Sequence, residues 1–96
     1  MRFEWDEQKR LINLQRHGFD FVGVETVFES DRYTILDNRF DYDEVRFVTF
    51  GFLESRVVAV VHTDTDDVTR IISVRKATKN EQRKFYKKIS DRLGEN

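Results

Sequence analysis

RFVTFGFLESRVVAVVHTDTDDVTRIISVRK, the stretch from Arg46 to Lys76, carries three strand patterns separated by two short polar reversals. Phe47, Val48, Phe50 and Phe52 mark the first strand, over Arg46 to Phe52, with Gly51 a bulge or the approach to a turn through Leu53, Glu54 and Ser55. The near-continuous run Val57 to Val61, inside Arg56 to Thr63, suits a central strand covered on both faces. The acidic turn Asp64 to Asp67 reverses the chain, and Val68 to Lys76 becomes a third strand, antiparallel to the second.

On the C-terminal side, Thr78 and Glu81 have the spacing of a capping box, which starts a helix over 79–93. Its apolar residues Phe85, Ile89 and Leu93 form one narrow stripe with Tyr86 beside it. On the N-terminal side, Tyr33 and Ile35 suggest a weak edge strand, followed by a loop in which Asp41, Asp43 and Glu44 resist pairing with another chain. Asp20 offers a helix cap for 20–29, where Phe21, Val24, Val27 and Phe28 recur at helical spacing around Gly23. Asp6 caps an earlier helix over 6–16, with Trp5, Leu11, Ile12 and Leu14 as a broken apolar stripe and Gly18 as the stop. The expected fold is one α+β domain over 1–96: two N-terminal helices, a three- to four-stranded antiparallel sheet and a C-terminal helix.

Composition narrows the function classes. The 96 residues contain no Cys, which excludes a disulfide framework, a thiol nucleophile and thiolate metal sites. Charged residues stand at 36% against 39% hydrophobic, but nine Phe, three Tyr and one Trp supply enough ring area for a packed core. No run reaches the ~18 apolar residues of a membrane span, and MRFEWDEQKR lacks a leader's apolar segment. The expected location is cytoplasmic. The net charge of −1 hides a division. Asp20 to Thr69 holds twelve acidic against four basic residues, whereas Arg70 to Arg92 holds nine basic against two acidic. The C-terminal quarter is either a solvated face or an anion site for RNA phosphates or an acidic partner.

The segment FEWDEQKRLINLQRHG, Phe3 to Gly18, and the segment Arg70-Ile71-Ile72-Ser73-Val74-Arg75-Lys76-Ala77-Thr78 with Glu81 bracket the chain. With Phe21, Val27, Phe28, Glu44, Arg46 and Gly51 between them, they resemble the BrnT toxin family over nearly the whole length. Departures are Val24, Ser30 and Thr65, and Phe85 holds the spacing at which the family has Tyr, with Tyr86 following it. The resemblance implies a type II toxin with a RelE-like fold that cleaves RNA to stop translation. It also implies neutralisation by a BrnA-like antitoxin with a ribbon-helix-helix region, so that DNA is reached only through that partner.

Metal-free RNA cleavage needs a base for the 2′-hydroxyl, an acid for the leaving 5′-oxygen and stabilisation of the phosphorane. Arg suits the last task because its planar fork donates two parallel hydrogen bonds and keeps its charge. Arg46, Arg70 and Arg75 are the candidates, each on an expected strand. Regular alternation would put Arg70 and Arg75 on opposite faces, so one is expected to be catalytic and the other structural unless a bulge intervenes, with Arg46 and Arg75 the pair expected to stabilise the phosphorane. Proton transfer falls to His17, Glu44 or Tyr86, with His62 the weaker option. Each has a plainer reading: His17 as a helix C-cap, Glu44 as the partner of Arg46 in a surface pair, His62 as a satisfied strand histidine.

Lys76, Lys79, Arg83, Lys84, Lys87 and Lys88 are the expected footprint for RNA backbone or for an acidic antitoxin segment. Phe3 and Trp5 read as core or helix-staple residues, or as rings stacking on a base. No cofactor or metal is expected, since His17 and His62 have no ligand spacing. The rival to the nuclease reading is an inactive binding module in a complex that represses its own promoter. The strand Val57 to Val61 needs cover on both sides, and an antitoxin could supply part of it.

Overall fold

The computed structural model describes residues 1–37 and 44–94. Chain order is β1 (Arg2–Trp5), α1 (Glu7–His17), α2 (Glu25–Glu29), β2 (Arg32–Asp37), β3 (Arg46–Leu53), β4 (Arg56–Thr65), β5 (Val68–Lys76) and α3 (Lys79–Leu93). Among the described residues the strands form one mixed sheet ordered β1-β5-β4-β3-β2, in which only the β1–β5 pair is parallel. The α+β class stands, with five strands in place of three or four.

The extra strand is β1. Its four residues are too few for a periodic signal, and a parallel partner 66 residues away makes it a strand, with Arg2 opposite Val68 and Trp5 opposite Ile71. Phe3 and Trp5 turn inward against Phe28 and Phe21, with ring centroids 5.2 and 6.0 Å apart. The expected helix over 20–29 shrinks to the five residues of α2. Asp20 accepts from the Val22 N–H and so caps a turn, and Gly23 at φ 96° takes a left-handed conformation that no helix continues through.

Helix α1 starts at its expected cap, where the Asp6 carboxylate accepts from the Gln8 and Lys9 N–H groups. It stops at Gly18, φ 78°, whose N–H reaches the Leu14 carbonyl. Its apolar stripe, however, faces water: Leu11 and Ile12 are 52% and 54% exposed, and the buried residue is Asn13. Helix α3 has the full capping box, Glu81 N–H to Thr78 Oγ1 at 3.1 Å and Thr78 N–H to Glu81 Oε1 at 2.8 Å.

Two clusters cover the two faces of β4. Val58 and Val60 pack with Phe19, Phe21, Val24, Val27, Ile71 and Val74 on the α1–α2 side. Val57, Ala59 and Val61 pack with Val48, Phe50, Ala77 and Phe85 on the α3 side. The chain therefore covers this strand with its own residues, contrary to the expectation that a partner completes it.

Gly51 is no bulge, since it pairs in register with Arg32 and with Val58. It is a close approach: a Cβ there would lie 2.8 Å from Val27 Cγ1. The irregularity falls on β5, where the ladder passes from Val61 opposite Ser73 to His62 opposite Ile71 and skips Ile72. The acidic loop residues Asp41 and Asp43 lie outside the described residues. Among the described residues, no helix is long and apolar enough to cross a membrane.

Candidate functional site

The skipped Ile72 rewrites the parity of β5. Arg70 stands opposite Thr63 and Arg75 opposite Ala59, and Thr63 and Ala59 share one face of β4. Arg70 and Arg75 therefore project from the same side of the sheet, the α3 side, and the expectation of opposite faces is corrected. Arg46 joins them there, because Phe47 pairs with His62 and the next position of the ladder sets Arg46 beside Thr63. Asp37 lies opposite Arg46 on β2, and Glu4 lies opposite Arg70 on β1. A single row, Asp37, Arg46, Thr63, Arg70 and Glu4, thus crosses the five strands, with a carboxylate at each end and an arginine on each flank of a buried threonine.

Within this row the two arginines stand two strand spacings apart, about 10 Å. Arg75 lies four β4 positions farther on, about 13 Å along the strand. Their holds differ as well. Arg70 meets Glu4 at 3.5 Å and Arg46 meets Glu44 at 3.9 Å, each through a carboxylate more than half exposed. An exposed pair such as Arg70–Glu4 is worth about 0–1 kcal/mol, so a phosphodiester monoanion can replace that carboxylate. Arg75 instead makes two parallel hydrogen bonds to Glu81, 2.8 and 3.0 Å, which draw the Glu81 carboxyl down to about 2. That fork ties β5 to the first turn of α3.

At the outer edge of β5, α1 and β5 enclose a cleft of about 210 Å³ lined by Lys9, Ile12, Asn13, Arg16, His17 and Ser73 among others. Asn13 builds it: its side-chain amide donates to the Val74 carbonyl at 2.9 Å, and its oxygen accepts from the Val74 N–H at 3.1 Å. Beyond Ile71 no strand pairs with the outer edge of β5 among the described residues, and the Asn13 carboxamide takes that place. The same amide donates to the Phe19 carbonyl at 3.0 Å, fixing the turn after His17. His17 is exposed on the cleft wall, and the Gly18 N–H rather than the imidazole satisfies Leu14. Lys9, Arg16 and Ser73 were not anticipated as site residues. The signal for the first two was the helical spacing of Lys9, Arg16 and His17, and none marked Ser73.

Other expected residues are dispersed. Tyr86 packs against Phe52 and Phe85, at the end of β3 opposite Arg46 and about 20 Å from it by strand rise. Lys76 pairs with Val58 and so projects from the opposite face of the sheet. The cations of α3 divide into two banks: Lys79 and Arg83 with Gln82 and Tyr86, and Lys84, Lys87 and Lys88 beside Tyr33, Ile35 and Asp91. His62 faces the α1–α2 side, with Nε2 2.7 Å from Thr49 Oγ1 and Nδ1 2.9 Å from Asp64, and burial lowers its pKa against the pull of Asp64. It is part of the core and stands on the other face from the arginine row.

Fold and face together define a small α+β protein with guanidinium groups from two separate strands set in one open row. A family model described as the ribonuclease toxin BrnT of type II toxin-antitoxin systems matches residues 5–81, and the chain belongs to that family. The crystal structure of the Brucella abortus ribonuclease toxin BrnT is similar in fold, with a TM-score of 0.64 at 24% identity over 82% of this chain and 99% of that one. No curated protein matches the sequence.

Proposed function

We propose that this chain is a metal-independent endoribonuclease whose phosphate clamp is the pair Arg46 and Arg70. The observation that carries the reading is the shared row: β3 and β5 deliver two guanidinium groups to the same face of the sheet, one on each flank of Thr63, with Arg46 3.9 Å from Glu44 and Arg70 3.5 Å from Glu4. A scissile phosphodiester between them would receive charge-assisted hydrogen bonds that strengthen as the phosphorane gains charge. Glu44, already at Arg46, takes the 2′-hydroxyl proton, and His17 or a water it holds returns a proton to the 5′-oxygen. Arg75 positions α3 through Glu81 and does not touch substrate. Lys79 and Arg83 extend the grip on RNA backbone. Tyr86 has no reacting role.

A BrnA-like ribbon-helix-helix protein neutralises the toxin in the cytoplasm, in keeping with the toxin-antitoxin family of the chain. The test is RNA cleavage by partner-free protein in excess chelator. Activity should persist there and disappear in Arg46→Ala and Arg70→Ala. An inactive wild type that still binds its partner would favour the binding-module reading, and cleavage that needs added metal would overturn the mechanism.

A further inference from the structure

We propose that the outer edge of β2, with the lysine-lined groove between β2 and α3, is the docking surface for an extended acidic segment of the antitoxin. This rests on the toxin-antitoxin reading and adds the place and manner of contact. Strand β2 is the last of the sheet, and among the described residues nothing pairs along its outer side. The Arg32 carbonyl accepts from Arg92 Nη1 of α3, which shows that it points away from β3. Thr34 and Thr49, paired across β2 and β3, bring their hydroxyls to 2.7 Å, the closeness of a pair that exchanges no backbone hydrogen bonds. By strand alternation Thr34 and Leu36 then present their N–H and C=O groups outward, ready to accept another strand.

The side chains specify what that strand carries. Ile35, on the α3 side, is 46% exposed, and Leu36, on the other, is 55% exposed, an apolar edge that a lone protein would shield. A groove of about 430 Å³ runs along Tyr33 and Ile35 and is walled by Lys84, Lys87 and Lys88 against the single carboxylate of Asp91. Residues of an added strand opposite Tyr33 and Ile35 would project into this groove, where carboxylates meet the three ammonium groups and apolar carbons cover Ile35. RNA could use the lysines, but it has no backbone that completes a β-ladder and leaves Leu36 uncovered. The geometry therefore favours a peptide.

The experiment pairs the intact chain with the co-expressed product of the reading frame adjoining its gene. Affinity is measured by calorimetry for the wild type, for Leu36→Pro, which removes one outward N–H, and for the triple variant Lys84→Glu, Lys87→Glu, Lys88→Glu. Folding is checked by circular dichroism. Each variant should weaken binding at least about tenfold, and amide exchange at Thr34 and Leu36 of the wild type should slow in the complex. A complex with unchanged affinity in the triple variant and no slowed exchange at these amides places the partner elsewhere and overturns the proposal. A triple variant that keeps the partner but loses RNA cleavage assigns the lysines to RNA and overturns it as well. Wild-type self-association that the triple variant abolishes identifies a second copy as the occupant. Failure of the wild type to bind that product at all removes the antitoxin reading itself, an outcome distinct from the other three.

Discussion

The Asn13 carboxamide grips both the N–H and the C=O of Val74, at 3.1 and 2.9 Å, and so stands in for a missing strand on the edge of β5. Removing it leaves two buried backbone groups and the Phe19 carbonyl without their partner. Asn13→Ala should cost roughly 2–4 kcal/mol in denaturant unfolding. Asn13→Asp should cost at least as much, because it loses both donated bonds and buries a charge. A loss below ~1 kcal/mol would show that water replaces the amide at no cost.

Arg46 and Arg70 should separate from Arg75 in a paired measurement of activity and stability. Arg46→Ala and Arg70→Ala should each lower RNA cleavage about 100-fold or more, and Arg70→Ala should change stability by less than about 1 kcal/mol. Arg75→Ala should lower stability by about 2 kcal/mol through the lost Glu81 fork, with the smaller effect on turnover of folded protein. The reverse pattern would move the phosphate clamp to Arg75.

Glu81 sets an acid limit. The Arg75 fork lowers its carboxyl from 4.5 to about 2, so the folded state holds the charged form longer than the unfolded chain does. The resulting stability is full above pH 4.5 and is lost as pH falls toward 2. Melting curves of Glu81→Gln should start lower at neutral pH and flatten across that window. A wild-type slope that survives the substitution would assign the acid sensitivity to other carboxylates.

His62 adds a second window at higher pH. Burial among Phe28, Phe47 and Thr49 pushes its pKa down, and Asp64 opposes this in part. A depressed value means that the unfolded chain takes up the proton first, so stability present above pH 6.5 declines as pH drops below it. His62→Gln, read by thermal melts between pH 7.5 and about 5, should remove this slope. An unchanged slope would mean that another group titrates there.

Gly51 should tolerate no side chain. Its added Cβ meets Val27 Cγ1 at 2.8 Å and the Val27 carbonyl at 3.2 Å, so Gly51→Ala should cost about 1–3 kcal/mol. Val27→Ala in the same chain should recover part of that loss, and the shortfall from additivity in a double-mutant cycle measures the contact.

Local signals were legible wherever one segment settles its own conformation. The strands β3 to β5, the caps at Asp6 and Thr78, the stop at Gly18 and the edge strand around Tyr33 follow from alternation, capping chemistry and glycine's freedom. The arginines were legible as residue types fit for a phosphate. The helix expected over 20–29 failed because Phe21, Val24, Val27 and Phe28 keep helical spacing whether the chain winds through Gly23 or turns there. Leu11 and Ile12 misled because the inward face of α1 is chosen by one amide, a contact that no hydrophobic pattern records.

The sequence by itself determined α1, α3 and the strands from β2 onward, the resemblance to a ribonuclease toxin and the arginines fit for a phosphate, since these rest on residue identity and short-range spacing. Only the tertiary structure decided which of those groups meet. Strand β1 exists because β5 offers a parallel partner 66 residues away. Arg70 and Arg75 share a face because one residue, Ile72, is passed over in a ladder formed with another strand. A bulge shifts every side chain beyond it to the opposite face, and its position is set by pairing between segments, which a single strand's alternation does not contain.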